Sequence, residues 1–149
     1  MKHRLFGIFL AAGMAWSNVS AQNCSVIRNA SQQDIAKGEA VELLNNMVAA
    51  CKSQIAENFF RLQTTGSQQL VSGASEKASM FKNYCEFTAE TIKLLGGNAA
   101  VGTHSIGPHK NRTKCGAPAS YWFIHTKDGT LALRLEVAVE SGRMKIDTH

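Results

Sequence analysis

The sequence predicts an α+β domain in which two N-terminal amphipathic helices pack on a C-terminal antiparallel meander of three or four strands. Three observations lead there. Apolar residues recur at helical spacing over residues 31–62 and again over 75–95, and after Pro118 the period changes to two. Helices followed by strands, each with one apolar side, bury those sides by stacking as layers. A chain of 149 residues fits one such domain.

The first 21 residues stand outside it. Lys2, His3 and Arg4 form a charged start, and Leu5 to Ala15 is an apolar run too short to span a bilayer. Val19-Ser20-Ala21 supplies the small residues a signal peptidase needs, so cleavage is expected between Ala21 and Gln22. Residues 22–149 are then the mature domain, exported to a bacterial periplasm or secreted. Removing Lys2 and Arg4 leaves 14 basic residues against 11 acidic, which lowers the net charge from +5 to +3. So small an excess, with no aromatic residues among the basic ones, argues against nucleic acid. No second apolar run is long enough to insert the mature chain in a membrane.

Cys24, Cys51, Cys85 and Cys115 all follow the cut. An even number in an oxidising compartment predicts two disulfides, and no pair has the close spacing of a zinc-thiolate site.

Taking the elements in order, residues 31–62 read as one long helix. Ala40, Leu44, Met47, Cys51, Ile55, Phe59 and Leu62 make its apolar stripe, and Gly38 weakens its first turns. After the polar break "TTGSQQ", a second helix runs from about Ser75 to Leu95 and stops at Gly96-Gly97. Ala78, Phe81, Cys85, Thr88, Ile92 and Leu95 form its stripe. Both stripes carry a cysteine, so the expected pairing is Cys51–Cys85 across the helices and Cys24–Cys115 between the N-terminal arm and a loop. The sequence alone permits three connectivities.

"YWFIHT", "TLALRLEVAVE" and "RMKID" then read as strands. If Ser141-Gly142 is a two-residue turn, Val139 pairs with Met144 and Val137 with Ile146. The first hairpin has two solutions. A three-residue loop with Gly129 left-handed pairs Thr126 with Thr130 and puts His125 on the apolar face with Leu131. A two-residue turn at Asp128-Gly129 pairs Thr126 with Leu131, turns His125 to the polar face and gives Trp122 and Ile124 to the core. Both faces of this strand carry aromatic residues, so periodicity leaves the choice open.

The run "FIHTKDGTLALRLEVAVESGRMKI" resembles the cystatin-like group that includes the nuclear-transport-factor-like folds. The likeness is strand, short turn, long strand, glycine turn, final strand. It implies a curled sheet with helices on one face. Met144-Lys145 stands where that group often has tryptophan and lysine, and no catalytic residue of the group maps onto this chain.

Between the helices and the strands lies "GTHSIGPHKNRTKCG", residues 102–116. His104 and His109 are too few for a metal, and no acidic residue lies between Glu90 and Asp128 to help them, so no metal or cofactor is expected there. Storage of metal through His104, His109 and His149 is the least favoured reading. Lys110, Arg112 and Lys114 alternate, so an extended backbone sets them along one side as a basic edge for an acidic partner. Nucleophile motifs such as G-x-S-x-G and H-E-x-x-H are missing. The sequence therefore favours a non-enzymatic exported protein that recognises another protein, as an inhibitor, an immunity-type protein or an accessory subunit. His104, His109, Lys110, Arg112, Lys114, Tyr121, Trp122 and His125 are its candidate binding residues. The alternative is a small-ligand carrier or enzyme with a pocket between sheet and helices, lined by Tyr121, Trp122 or Phe123, with His125 or Glu136 as general base.

Overall fold

In the computed structural model, which describes residues 26–112 and 118–148, helices cover one face of an antiparallel five-stranded sheet. The chain runs β1 (Ile27–Arg28), α1 (Gln32–Ala36), α2 (Glu39–Ser53), α3 (Ala56–Phe60), α4 (Thr65–Gln68), α5 (Ala74–Leu94), β2 (Thr103–Arg112), β3 (Pro118–His125), β4 (Leu131–Glu140) and β5 (Arg143–Ile146). The sheet order is β1-β4-β3-β2, with β5 also on β4.

The α+β class holds, but the expected single helix over 31–62 is three. Gly38 takes φ +83° between α1 and α2, and Gln54 takes φ +59° at the end of α2. A left-handed residue cannot continue a right-handed helix, so the axis breaks at both places. Ile55, read as part of the apolar stripe, is 55% exposed at the second break. Helix α5 runs as expected and ends where Gly96 and Gly97 turn left-handed, with the Gly97 amide returning to the Ile92 carbonyl at 2.9 Å.

The disulfide Cys51–Cys85 joins α2 to α5, as the two stripes predict. Cys24, Cys115 and the expected leader lie outside the described residues, and of the two expected bridges this one is seen. Phe59 of α3 packs on Tyr84 and Phe81 of α5, with centroids 5.0 and 6.2 Å apart. Leu44, Met47, Phe59, Trp122, Ile124, Leu133, Val137 and Ile146 fill the space between the layers. Each such side chain contributes roughly 1.5–3 kcal/mol by leaving water.

The β3–β4 hairpin combines the two solutions open to the sequence. The turn is the three-residue one: Gly129 has φ +85°, and the Thr126 amide donates to the Thr130 carbonyl at 2.8 Å. His125 pairs with Leu131, but the register slips between Ile124 and His125, and Ile124 then pairs with Leu133 and Trp122 with Leu135. One extra residue on β4, a bulge, gives Trp122 and Ile124 to the core after all. The Ser141-Gly142 turn has φ +53° and +78° and sets Val139 opposite Met144 and Val137 opposite Ile146, as expected.

The sheet has five strands, against the expected three or four. β1 is short, and β2 occupies most of the segment read as a connector. Pairing with β3 from Thr103↔His125 to Pro108↔Ser120 makes β2 a strand despite its glycine and proline.

Candidate binding surface

Strand β3 divides the predicted residues between two environments. Trp122 faces the helices and is fully buried. Its indole Nε1–H donates to His104 Nδ1 at 3.0 Å, and the rings lie 5.8 Å apart and nearly parallel. Because Nδ1 accepts, the proton of the neutral imidazole sits on Nε2, which donates to the Ala99 carbonyl at 3.1 Å. Burial holds the His104 pKa below the ordinary histidine value, against the opposing pull of the Ala99 bond. Both ring nitrogens are engaged inside the fold, which makes this pair a brace between β2 and β3.

Tyr121 and His125 point to the other side, with Phe123 between them. Ring centroids are 5.7 Å apart for Tyr121–Phe123 and 6.4 Å for Phe123–His125, and all three side chains are part-exposed. Arg134 of β4 lies over the Tyr121 ring at 5.5 Å. On the β2 side Gly107 opens space for the row: a Cβ there would sit 2.9 Å from Phe123 Cε2. His109, Lys110 and Arg112 belong to β2, and Lys114 lies outside the described residues.

Past the far edge of β4 the row meets a groove. A hollow of about 380 Å³ is lined by Tyr84, Tyr121, Arg134, Glu136, Asp147 and Thr148 among others. A neighbouring hollow of about 300 Å³ lies against Met80, Asn83 and Phe87 of α5 and shares Tyr84, Arg134 and Leu135 with the first. The Tyr84 hydroxyl and Thr148 Oγ1 are 3.2 Å apart at its rim. Both hollows lie where α5 meets β4, with Tyr84 from the helix and Arg134 and Leu135 from the strand, and the first also takes in Tyr121, while core side chains fill the space deeper between the layers. Glu136, a candidate base of the alternative reading, is part-buried in the lining.

Tyr84, Arg134 and Thr148 escaped sequence reasoning. They converge from α5, β4 and the C-terminal segment, and the one local signal was a lone arginine in the apolar alternation of β4. Among the described residues no group of three or more His, Cys, Asp or Glu side chains is placed to hold a metal. None of the described helices is long and apolar enough to cross a membrane. No family model matches the chain, and no curated protein or solved structure matches it.

Proposed function

We propose that this is an exported, disulfide-braced recognition protein that binds another protein through the sheet face turned away from its helices, without catalysis. The observation that carries the reading is the row Tyr121–Phe123–His125, three part-exposed rings from one strand, flanked by Arg134. Rigid aromatic residues with an arginine beside them are the side chains that dominate protein interfaces, because they bury much area at little conformational cost. The Cys51–Cys85 bridge supports an oxidising compartment and holds the helical layer behind this face stiff, which reduces the ordering cost of binding. The expected leader, the Cys24–Cys115 link and the basic edge of Lys110, Arg112 and Lys114 complete the proposal, with an acidic partner. Inhibitor, immunity-type and accessory roles all fit it.

Capture from the native exported fraction tests it. The oxidised protein is expected to retain a defined partner that Phe123→Ala releases, with at least about tenfold weaker binding, as for an interface anchor. A protein that stays monomeric, captures nothing and binds a small metabolite overturns the reading. The hollow beside Tyr84 and Arg134, about 380 Å³, favours that second function of small-ligand carriage by its size alone.

A further inference from the structure

Strand β4 is covered unequally along the edge that faces away from β3. Val137 pairs with Ser120 of β3 and with Ile146 of β5, so those two strands flank it. β5 covers Val137 to Glu140, and the last bond beyond its register is the Asp147 amide to the Glu136 carbonyl at 3.0 Å. Alternate residues of a strand present N–H and C=O to opposite edges. Since Glu136 faces β5, Arg134 and Ala132 face the same way. The Ala132 carbonyl accepts from the Thr91 hydroxyl of α5 at 3.1 Å. For Arg134, no hydrogen bond reaches its N–H or C=O from that edge among the described residues. The edge opens into the two hollows, and Arg134 and Leu135 line both.

We propose that this open edge of β4 receives an extended segment of a partner polypeptide as an added strand. The inference rests on the protein-recognition reading above and gives the partner its chemistry. A backbone N–H and C=O from one residue, aimed together at a groove, match the paired groups of one residue of an incoming antiparallel strand. An added strand lies about 4.8 Å from β4, and its successive side chains point to opposite faces. One therefore enters the hollow against Met80, Phe87 and Leu135, which suits an apolar residue. The next enters the hollow of Tyr121, Glu136 and Thr148, which suits a polar one. Backbone pairing supplies affinity, and the two hollows supply selectivity.

The probe is a random linear heptapeptide library panned against the oxidised protein, with the selected peptides resynthesised. Methylating one backbone nitrogen of the peptide is expected to weaken binding at least about tenfold when that nitrogen donates to Arg134, and much less at the neighbouring residue. Arg134→Pro, which deletes the N–H, is expected to weaken binding more than Arg134→Ala, which keeps it. Amide exchange at residue 134 slows in the complex. Thermal unfolding of both variants checks that the fold survives. Peptides indifferent to methylation and to Arg134→Pro, but lost in Phe123→Ala, overturn strand addition and leave outer-face recognition standing. A library that yields no binder overturns strand addition as well, and the capture experiment then decides the broader reading by itself.

Discussion

The sheet ends in two edges, and the chain treats them differently. At β2 the Gln32 side chain acts as a substitute strand: its amide accepts from the Ile106 N–H at 3.2 Å and donates to the His104 carbonyl at 3.4 Å. Pro108 follows two residues later and has no N–H to offer. At the other side, β5 covers the C-terminal half of β4, and Leu62 to Thr64 in turn cover β5 through Ile146 N–H to Leu62 O and Thr64 N–H to Ile146 O, at 2.9 and 2.8 Å. Among the described residues, the same edge along the N-terminal half of β4 gets one threonine hydroxyl. Unpaired edges invite pairing with other chains, and proteins usually blunt them. Among the described residues, one edge is blocked by a side-chain amide and a proline and the other is open beside a groove, and the proposal of an added strand rests on that contrast.

The largest test concerns the wall of that groove. Helix α5 supplies Met80, Tyr84 and Phe87, and Cys85 fastens it to α2 across a loop of 34 residues. Replacing both cysteines, Cys51→Ser with Cys85→Ser, is expected to cost about 3–4 kcal/mol from the loop-closure entropy restored to the unfolded chain. Denaturant unfolding of the oxidised protein and the double variant measures it. Peptide binding at the β4 edge should weaken further than outer-face binding, because the wall moves and β3 does not.

Next in size is the brace beneath the blocked edge. His104→Ala leaves the Trp122 N–H buried without its acceptor, at a cost of about 1–3 kcal/mol. The same group makes stability depend on pH. With its folded pKa lowered, the unfolded chain takes up a proton more readily, so the contribution is present above pH 6.5 and is lost as pH falls below it. Asp34 behaves alike in a lower window. The Arg28 guanidinium, 2.7 Å away, and the Ser31 amide pull its pKa from 3.8 to about 2, so its share is lost as pH falls between those values. Urea titrations at pH 7, 5.5 and 3 should show two separate losses, and His104→Ala should remove the first alone.

What was legible in the sequence follows the range of the interactions. Helix α5 and the Ser141-Gly142 register depend on periodicity and turn chemistry within a few residues, and they read directly; the Cys51–Cys85 pairing follows from one cysteine on each helix stripe, although the sequence alone permits three connectivities. The two breaks in the first helix turn on single left-handed residues. Glycine announces one, at Gly38, but nothing marks Gln54 beforehand. β2 lacks alternation; its extended state comes from β3 on one side and Gln32 on the other, 74 residues from Ile106. The bulge near Ala132, which decides the fate of Trp122 and His125, adjoins the hydroxyl of Thr91, 41 residues away. Of the candidate binding residues, Tyr121 and His125 share the outer face and Trp122 and His104 the interior, a division that the three-residue turn makes only with the help of the bulge. The groove joins residues 84, 121, 134 and 148, and no local pattern encodes that meeting.

A smaller effect, of opposite sign, is expected where Leu62 to Thr64 cover β5. Gln63 is fully buried, and neither its Oε1 nor its Nε2 has a hydrogen-bond partner among the described residues. Its backbone carbonyl accepts from Gln68 Nε2 at 2.9 Å, so the covering segment does not need the Gln63 side chain. Gln63→Met keeps the volume and removes two unpaired groups, and should stabilise by about 1 kcal/mol. A lower thermal midpoint for this variant would mean that the amide holds the segment in place.

The smallest effect on stability belongs to Gln32, and it bears most directly on the contrast between edges. Gln32→Ala removes two exposed hydrogen bonds and should cost no more than about 1 kcal/mol. Its consequence lies elsewhere. With the amide gone, Ile106 N–H and His104 C=O become an open pair like that of Arg134. Amide exchange at Ile106 should quicken and exchange at Arg134 should not change. Sedimentation at rising concentration should reveal self-association in Gln32→Ala that the parent lacks, since pairing between copies needs only an unblocked edge. If the variant stays monomeric with Ile106 still protected, Pro108 alone guards that side. The lack of a plug is then not what sets the open stretch of β4 apart from β2.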